Sequence, residues 1–297
     1  MKLEYFPYNF LHKKNLDDNC KTLESLPKIS IVMPCLNHGK YIERSILSVL
    51  NQNYYNLELI IVDGGSSDDS LEIIKKYEKN ITFWISEKDQ GQSDALNKGF
   101  SHATGDIYGW LNSDDLYLPG VFMLTKEFFL KNENKKIIFG DWLSIDENDK
   151  VLDFNHAFDF NLNHFKYEGF HLNAQAMFWR SNVYKEFSGF DVNLYNTMDY
   201  QMILEFGLTH GEDSFLRVPH VLGAFRRHKD QKTLDMNSYV MAEHKIIAKK
   251  YGYTDKYKLI GKFKRFYFRF RRCSWYLKRG GVHNLLKRLK KFFANYK

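Results

Sequence analysis

The sequence predicts an α/β fold built on a mostly parallel sheet with helices on both faces, and two observations carry that expectation. Between residues 29 and 111, short apolar runs alternate with stretches whose apolar side chains recur at helical spacing. Three of those runs end in loops bearing an aspartate, Asp63, Asp89 and Asp114, and open α/β sheets take their ligands outside the carboxyl ends of the strands.

Residues 29–33 form the first strand, closed by Pro34, because proline is tolerated at a strand end far better than inside. After the turn Asn37-His38-Gly39, the residues Ile42, Ile46, Val49 and Leu50 keep one helical face. Residues 57–62, LELIIV, read as a central strand. They run into Asp63-Gly64-Gly65-Ser66-Ser67-Asp68-Asp69-Ser70, where glycines admit close backbone approach and Ser or Asp caps the next helix. A third strand over 81–85 leads to Asp89-Gln90-Gly91 and a helix over 93–102, and a fourth strand covers 106–111. Beyond Gly120 come a helix marked by Phe122, Leu124, Phe128 and Phe129, then strands at 137–139, 143–145 and 151–154. The turn Asp146-Glu147-Asn148-Asp149 joins the last two as a hairpin. A helix over 200–206 follows, which Asp199 is placed to cap.

The 297 residues are 44% hydrophobic and 16% aromatic with 5 prolines, enough for a substantial core and against a long disordered linker. Cys20, Cys35 and Cys273 are odd in number and far apart, which argues against a disulfide framework or a zinc site and fits a reducing compartment. No apolar run approaches a membrane span, and the first ten residues lack a basic segment followed by an apolar core, so a cytoplasmic location is expected.

The net charge of +7 hides an asymmetry. Of 43 Lys and Arg, 15 fall in residues 256–297, which contain no Asp or Glu; the preceding residues hold 28 basic against 36 acidic side chains. In that tail Phe263, Phe266, Tyr267, Phe270 and Leu277 approach one helical face. After a break expected at Gly280-Gly281, Val282, Leu285, Leu286, Leu289 and Phe293 do so again. A basic amphipathic segment of this kind predicts an anionic membrane surface as partner, with the protein peripheral on the inner face of the cell membrane. Packing of the same face on the body is the competing reading.

Trp110-Leu111-Asn112-Ser113-Asp114-Asp115 sets adjacent carboxylates where an apolar strand stops. Like charges repel unless a cation or donor is near, and oxygen ligands without cysteine suit a hard cation, Mg2+ or Mn2+. An acidic turn explains these six residues equally well.

The succession SIVMPCLN, LIIVDGGSSDDS, EKDQGQSDALNKGF and ATGDIYGWLNSDD resembles, over about residues 28–125, the nucleotide-sugar half of glycosyltransferase family 2. The resemblance implies the GT-A fold and inverting transfer from a nucleotide-diphosphate sugar, with a UDP-sugar expected, to a hydroxyl of a glycan or lipid-linked acceptor. Cell-envelope polysaccharide or lipopolysaccharide synthesis is the implied setting. It also implies that Pro34, Asn37, Asp63, Gly65, Asp89, Gln90, Asp94 and Ser113 line the nucleotide pocket, with Asp63 reading the base. Asp114 would hold the cation with Asp115 adjacent, and His228, in Arg226-Arg227-His228, would stand near the diphosphate and the metal. The first position of the family's Asp-x-Asp motif is Asn112 here. Asp199 matches the catalytic base, although Met198 replaces the usual acidic neighbour and Glu205 stands where many members carry Arg. Asp141, Trp142, His171 and Gln175 are candidates on the acceptor side. The expected division is an extension over 1–27, a nucleotide-sugar-binding half over 28–125, an acceptor and catalytic-base half over 126–235, and a helical basic region over 236–297.

Two other classes compete. A nucleotidyltransferase acting on sugar phosphates would be expected to carry a Gly-rich, Lys- or Arg-bearing loop after the first strand, and none stands there. A nucleic-acid-binding protein could use the tail but leaves the acidic motifs unexplained, so no nucleic-acid partner is expected.

Overall fold

The computed structural model describes residues 26–169, 172–232 and 239–294, with side chains in the last helix described as far as Lys278. His171 and residues 1–25 of the N-terminal extension lie outside the described residues. Strand β1 (Ile29–Cys35) runs between β2 (Leu57–Asp63) and β4 (Ile107–Trp110), with β3 (Phe83–Ser86) beside β2, all parallel. The connecting helices are α1 (Ile42–Leu50), α2 (Ser70–Lys76) and α3 (Gln92–His102). Alternate residues of β1 and β2 enter two separate cores. Val32, Ile60 and Val62 pack with Ala95, Leu96 and Phe100 of α3. Ile31, Met33, Leu59 and Ile61 pack with Ile42, Ile46 and Val49 of α1. Burial of both faces is why these strands read as continuous apolar runs. A Cβ at Gly99 of α3 would stand 2.3 Å from Val32 Cγ1, so that helix lies directly on β1.

The first strand continues through Pro34 to Cys35 rather than stopping before it. Pro34 alternates with Val32, which bonds toward β4, and the pairing with β4 has already ended at Val32 and Trp110. The missing N–H therefore costs no ladder bond.

The remaining elements are β5 (Leu116–Tyr117), α4 (Val121–Lys131), β6 (Ile137–Ile145), β7 (Val151–Asn155), α5 (Leu162–Glu168), β8 (Met177–Arg180), α6 (Ser181–Lys185), α7 (Met198–His210), β9 (Phe215–Arg226), α8 (Tyr239–Lys250) and α9 (Leu259–Ala294). They extend the sheet in the order β3-β2-β1-β4-β8-β6-β9-β5, with β7 pairing β6 as the expected hairpin. β8 is antiparallel to both β4 and β6, so a parallel half gives way to a mixed one. The two strands expected at 137–139 and 143–145 are one strand, β6, whose register against β9 shifts around Asp141. A Cβ at Gly140 would lie 2.5 Å from the His220 carbonyl, and that close approach explains the gap in its apolar pattern.

Helix α9 is continuous through Gly280-Gly281, where a break was expected. Two glycines cost about 1 kcal/mol each relative to alanine, and the Lys, Arg and Leu around them are good helix formers. One face of α9 docks on α5: Phe268 against His164 and Tyr167, Arg272 on Glu168 at 2.5 Å, and Lys264 on the Tyr167 hydroxyl at 2.8 Å. Trp275 continues that face, packing on Phe158 and lying under the Arg217 guanidinium. The opposite face turns Leu259, Ile260, Phe263, Phe266, Tyr267, Phe270 and Leu277 outward. Among the described residues, no helix is long and apolar enough to cross a membrane.

Candidate active site

The turn after β4 gives each of its polar residues a different task. Asn112 Oδ1 accepts from Trp110 Nε1 and Gln92 Nε2, each at 2.7 Å, while its Nδ2 donates to Asp115 Oδ2 at 3.2 Å. That side chain is engaged inside the fold. Asp115 is fully buried and accepts the Arg226 backbone N–H at 2.8 Å. Burial first, then the adjacent Asp114, push the Asp115 carboxyl well above its ordinary range. Expected next to the cation, Asp115 instead ties the loop to β9. Asp114 points the other way, with Oδ2 at 2.9 Å from His228 Nε2 and 3.9 Å from His38 Nε2. Burial raises its carboxyl, but the hydrogen bond from His228 and the charge of His38 outweigh burial and hold it below the usual value. Ser113, expected in the nucleotide pocket, is buried, and its Oγ lies 2.7 Å from His38 Nδ1.

His38, Asp114 and His228 each offer a ligand atom, and these atoms lie within 4.8 Å of one another. Two imidazole nitrogens and a carboxylate oxygen are a donor set that fits a divalent cation. Arg226, expected near the diphosphate, is fully buried. Its Nε donates to the Asp114 carbonyl at 2.7 Å and its Nη1 to Asp146 O at 3.0 Å and Asp149 Oδ1 at 2.5 Å. It braces the Asp114 loop, with the Tyr41 ring 5.1 Å from its guanidinium carbon.

The loops after β1, β2 and β3 converge beside this cluster. Asn37 holds a left-handed φ of 54°. Its Oδ1 accepts from Ser67 N at 2.8 Å and its N–H donates to Ser66 Oγ at 2.7 Å. Asp63 is buried at the end of β2, where Oδ2 accepts from Ser66 N at 3.0 Å and Ser86 Oγ at 2.6 Å and Oδ1 accepts from Ser66 Oγ. Gly65 takes φ +84°, a conformation that only glycine adopts freely. At the neighbouring Gly64 a Cβ would be 2.6 Å from Asp89 Oδ2, so the bare backbone makes room for that carboxylate. Asp89 accepts from Gly91 N at 2.8 Å, and burial with help from Asp94 raises its carboxyl. Asp94 accepts from Gln90 N at 3.1 Å and pairs with Lys98 at 3.2 Å. Pro34, Asn37, Asp63, Gly65, Asp89, Gln90 and Asp94 thus gather along the carboxyl edge of the parallel strands.

Asp199 lies in the first turn of α7, whose N-cap is Thr197, so it is not the cap that its sequence position suggested. Glu243 of α8 serves that end instead: its carboxylate accepts from Tyr195 N at 2.7 Å, Thr197 N at 3.0 Å and Thr197 Oγ1 at 2.9 Å. The Asp199 carboxylate accepts only from Tyr200 N among the described contacts, at 2.7 Å. Burial pushes it up to about 7. That is the range in which a carboxylate works as a general base near neutral pH. Glu205 is taken up by Ser188, Gln201 and Tyr251.

The acceptor-side candidates separate. Asp141 is buried in an ion pair with Arg217 at 2.8 Å, and also meets His156 Nδ1 at 3.0 Å and Ala157 N at 2.9 Å. It joins β6 to β9 through Arg217. Trp142 pairs with Gly223 of β9, and a Cβ at Gly223 would stand 2.7 Å from the Gln175 carbonyl, so the backbone at Gln175 lies close against β9.

Two site residues escaped the sequence. His38 sits in a turn and carries no motif, and only the fold brings it to Asp114. Lys232 lies near Asp89 and Asp114, with Nζ 4.4 Å from the Tyr195 ring and 3.5 Å from Gln92 Oε1. Burial pulls its ammonium below the usual value, against the attraction of Asp89, Glu243 and Asp114.

Comparison with known proteins places this geometry. Residues 30–188 match the model of glycosyl transferase family 2. An uncharacterized glycosyltransferase of Haemophilus influenzae is 39% identical over 111 residues, 36% of this chain and 44% of that protein. The chondroitin synthase of Escherichia coli is 28% identical over 202 residues, 67% of this chain but 29% of that protein. The chain therefore spans less than half the length of these relatives. The structure of S. aureus TarS 1-349 in complex with UDP-GlcNAc superposes with a TM-score of 0.63 at 16% identity, covering 85% of this chain and 74% of that one. Mannosyltransferase PcManGT from Pyrobaculum calidifontis, in complex with GDP-Man and Mn2+, gives 0.54 at 12% identity over 93% and 82%. With strand-end carboxylates on a helix-covered sheet, and more than half its length matched, the chain belongs to glycosyl transferase family 2 and has the GT-A fold.

Proposed function

We propose that the protein transfers one sugar from a UDP-sugar to a hydroxyl of a glycan or lipid-linked acceptor, with inversion and with a divalent cation. The observation that supports this reading best is the pairing of a cation-type cluster at Asp114 with a carboxylate on α7 whose burial tunes it to about 7. The loops carrying Asn37, Asp63 and Asp89 receive the nucleoside, with the base approaching Asp63 and the Ser86 hydroxyl. His38, Asp114 and His228 would hold Mg2+ or Mn2+. Such an ion, when bound, neutralises charge on the departing diphosphate as a Lewis acid. Lys232 adds a second positive charge on the same side, held by Gln92 and the Tyr195 ring where a phosphate oxygen would lie. Asp199, ionised, takes the proton of the acceptor hydroxyl as it attacks the anomeric carbon from the face opposite the departing group, which inverts the configuration. Trp142 and Gln175 support the acceptor side from behind.

The outward face of α9 adds a location to this reading. Leu259, Ile260, Phe263, Phe266, Tyr267 and Phe270 lie in a row, flanked by exposed Lys262, Arg271 and Lys278, while the other face is anchored on α5. Aromatic residues between cations suit the interface of an anionic bilayer. The protein would then sit on the inner face of the cell membrane, where envelope polysaccharide precursors are built.

Titration calorimetry of UDP against the full-length chain, with Mn2+ and again with EDTA, tests the donor and cation together. Cation-dependent UDP binding, followed by sugar transfer or hydrolysis from a panel of nucleotide sugars, is the expected result. UDP binding equally well in EDTA would remove the cation from the reading, and no binding to any nucleotide in either condition would remove the activity.

A further inference from the structure

We infer that Glu243 of α8 is a positioning residue for transfer, its one carboxylate fixing the segment that carries Tyr195, the partner of Lys232, on the donor side and leads to Asp199 on the acceptor side. The inference rests on the reading of Asp199 as the base, and adds to it a residue beyond the stretch 30–188 that matches the family.

The hydrogen bonds of that carboxylate carry it. Glu243 is buried, and its Oε1 accepts from Tyr195 N at 2.7 Å. Its Oε2 accepts from Asn196 N and Thr197 N, each at 3.0 Å, and from Thr197 Oγ1 at 2.9 Å. Three successive N–H groups thus turn toward one side chain of another helix, and the chain then enters the first turn of α7, where Asp199 stands. Bonds to an ionised acceptor are about twice as strong as neutral ones. The other end of the segment is fastened independently, by α3. Asn97 Nδ2 donates to Phe190 O at 2.8 Å and its Oδ1 accepts from Phe190 N at 2.9 Å, while Ser93 Oγ donates to Leu194 O at 3.3 Å. The end that meets α7 is therefore the end that Glu243 holds.

The same carboxylate acts on two charges that the reaction uses. On the donor side the Tyr195 ring lies 4.4 Å from Lys232 Nζ, and Nζ is 3.5 Å from Gln92 Oε1, whose amide donates to Asn112 in the turn bearing Asp114. Burial lowers the Lys232 ammonium, and Asp89, Glu243 and Asp114 oppose that by attraction. On the acceptor side burial raises the Asp199 carboxyl, and the charge of Glu243 adds to the effect. The neighbouring titratable groups of this wall are His244, which burial and then Lys256 lower to about 4, and Lys256, which burial lowers to about 8 and whose Nζ lies 5.8 Å from the Tyr200 ring. His244 is thus neutral where the base works. Loss of the Glu243 charge releases the start of α7 and eases ionisation of Asp199 at once.

The test uses the full-length chain, with UDP release from a panel of UDP-sugars followed over about pH 5–9. Wild type, Glu243→Gln, Glu243→Asp and Thr197→Val are compared below the melting transition of each. Glu243→Gln keeps the length of the side chain and removes its charge, whereas Glu243→Asp keeps the charge and draws it back. In Glu243→Gln the plateau rate should fall roughly tenfold or more and the acid limb should move to lower pH, with UDP affinity by calorimetry within about threefold of wild type. Glu243→Asp should lose a similar factor in the plateau with its limb nearer that of wild type. Thr197→Val, which removes only the hydroxyl contact, should lose about threefold. A glutamate with a merely structural role would lower the melting temperature and leave plateau and limb in place, and that result overturns the inference. Should neither Glu243 variant fold, Thr197→Val decides, and a wild-type plateau there overturns it as well. An acid limb that survives in Asp199→Asn sinks the base reading itself, whereas a limb that Asp199→Asn removes and Glu243→Gln leaves unmoved sinks only the role given to Glu243.

Discussion

His228 Nε2 lies 2.9 Å from Asp114 Oδ2 although 114 residues separate them in the chain. The contact exists because β9 returns beside β5 and the buried Arg226, two residues before His228, clamps the Asp114 carbonyl. Asp114→Asn keeps the shape and removes the charge. Donor turnover should fall by at least ~10²-fold while the melting temperature moves by only a few degrees, checked by coupled assay and calorimetry.

Arg226→Met should behave in the opposite way. Removing the guanidinium takes one of two cationic partners from the buried Asp149, leaving Arg44, and frees the carbonyls of Asp114 and Asp146. Leaving a buried charge unpaired costs about 3–5 kcal/mol, and because Arg44 still pairs with Asp149, chemical denaturation should show a loss below that range.

Asp199 carries a pH prediction with a definite sign. The base works only when ionised, so transfer should climb about tenfold per pH unit up to about 7 and then level off. Asp199→Asn should lose at least ~10²-fold in transfer and lose that acid limb, with UDP affinity unchanged. The folded value lies above the ~3.9 of an unfolded chain. Its contribution to stability is therefore fully present below about 4 and is lost as pH rises through about 7. The Asn variant should melt higher than wild type at pH 8 and show no such gain at pH 4.

Lys232→Gln separates phosphate from base recognition. The affinity for UDP should drop roughly tenfold, in the range of one charge-assisted contact, while uridine binding is unaffected. Calorimetry with the two ligands reads the difference directly.

The two faces of α9 predict opposite phenotypes. Serine at Phe263, Phe266 and Phe270 together should abolish sedimentation with anionic vesicles and leave the melting temperature in place, because those rings are exposed. Trp275→Ala should do the reverse, destabilising the chain by a few kcal/mol through lost packing on Phe158 and Arg217.

The strands β1, β2 and β4 were legible because both of their faces are buried, which writes them as unbroken apolar runs. β9 was not, since Arg217, Pro219 and His220 interrupt it while it pairs with β6. Its physical basis is tertiary, with Arg217 neutralised by Asp141 and no local pattern to signal that. Asp114 and Asp199 could be read from motifs, but the direction of each side chain could not. Adjacent Asp114 and Asp115 look alike in sequence, and it is the return of β9 that decides that one meets His228 while the other meets a backbone N–H. In α9 the exposed row was legible from helical spacing. The docked face was not, because Lys264, Phe268 and Arg272 acquire meaning only opposite Tyr167, His164 and Glu168 of α5.

The seat that Glu243 provides for Asp199 bears on where this protein can be cut. The region matched by the family ends at residue 188, yet the α7 carboxylate lies beyond it and the glutamate supporting its helix lies on α8. Tyr167, next to Glu168 on α5, is in turn held by Asp255. A fragment trimmed to the matched region would lack the α7 carboxylate altogether, and one trimmed before α8 would keep it on an unsupported helix end. If Asp199 is the base, the smallest independently active piece is expected to run past Asp255, into the basic segment whose composition suggests a membrane surface.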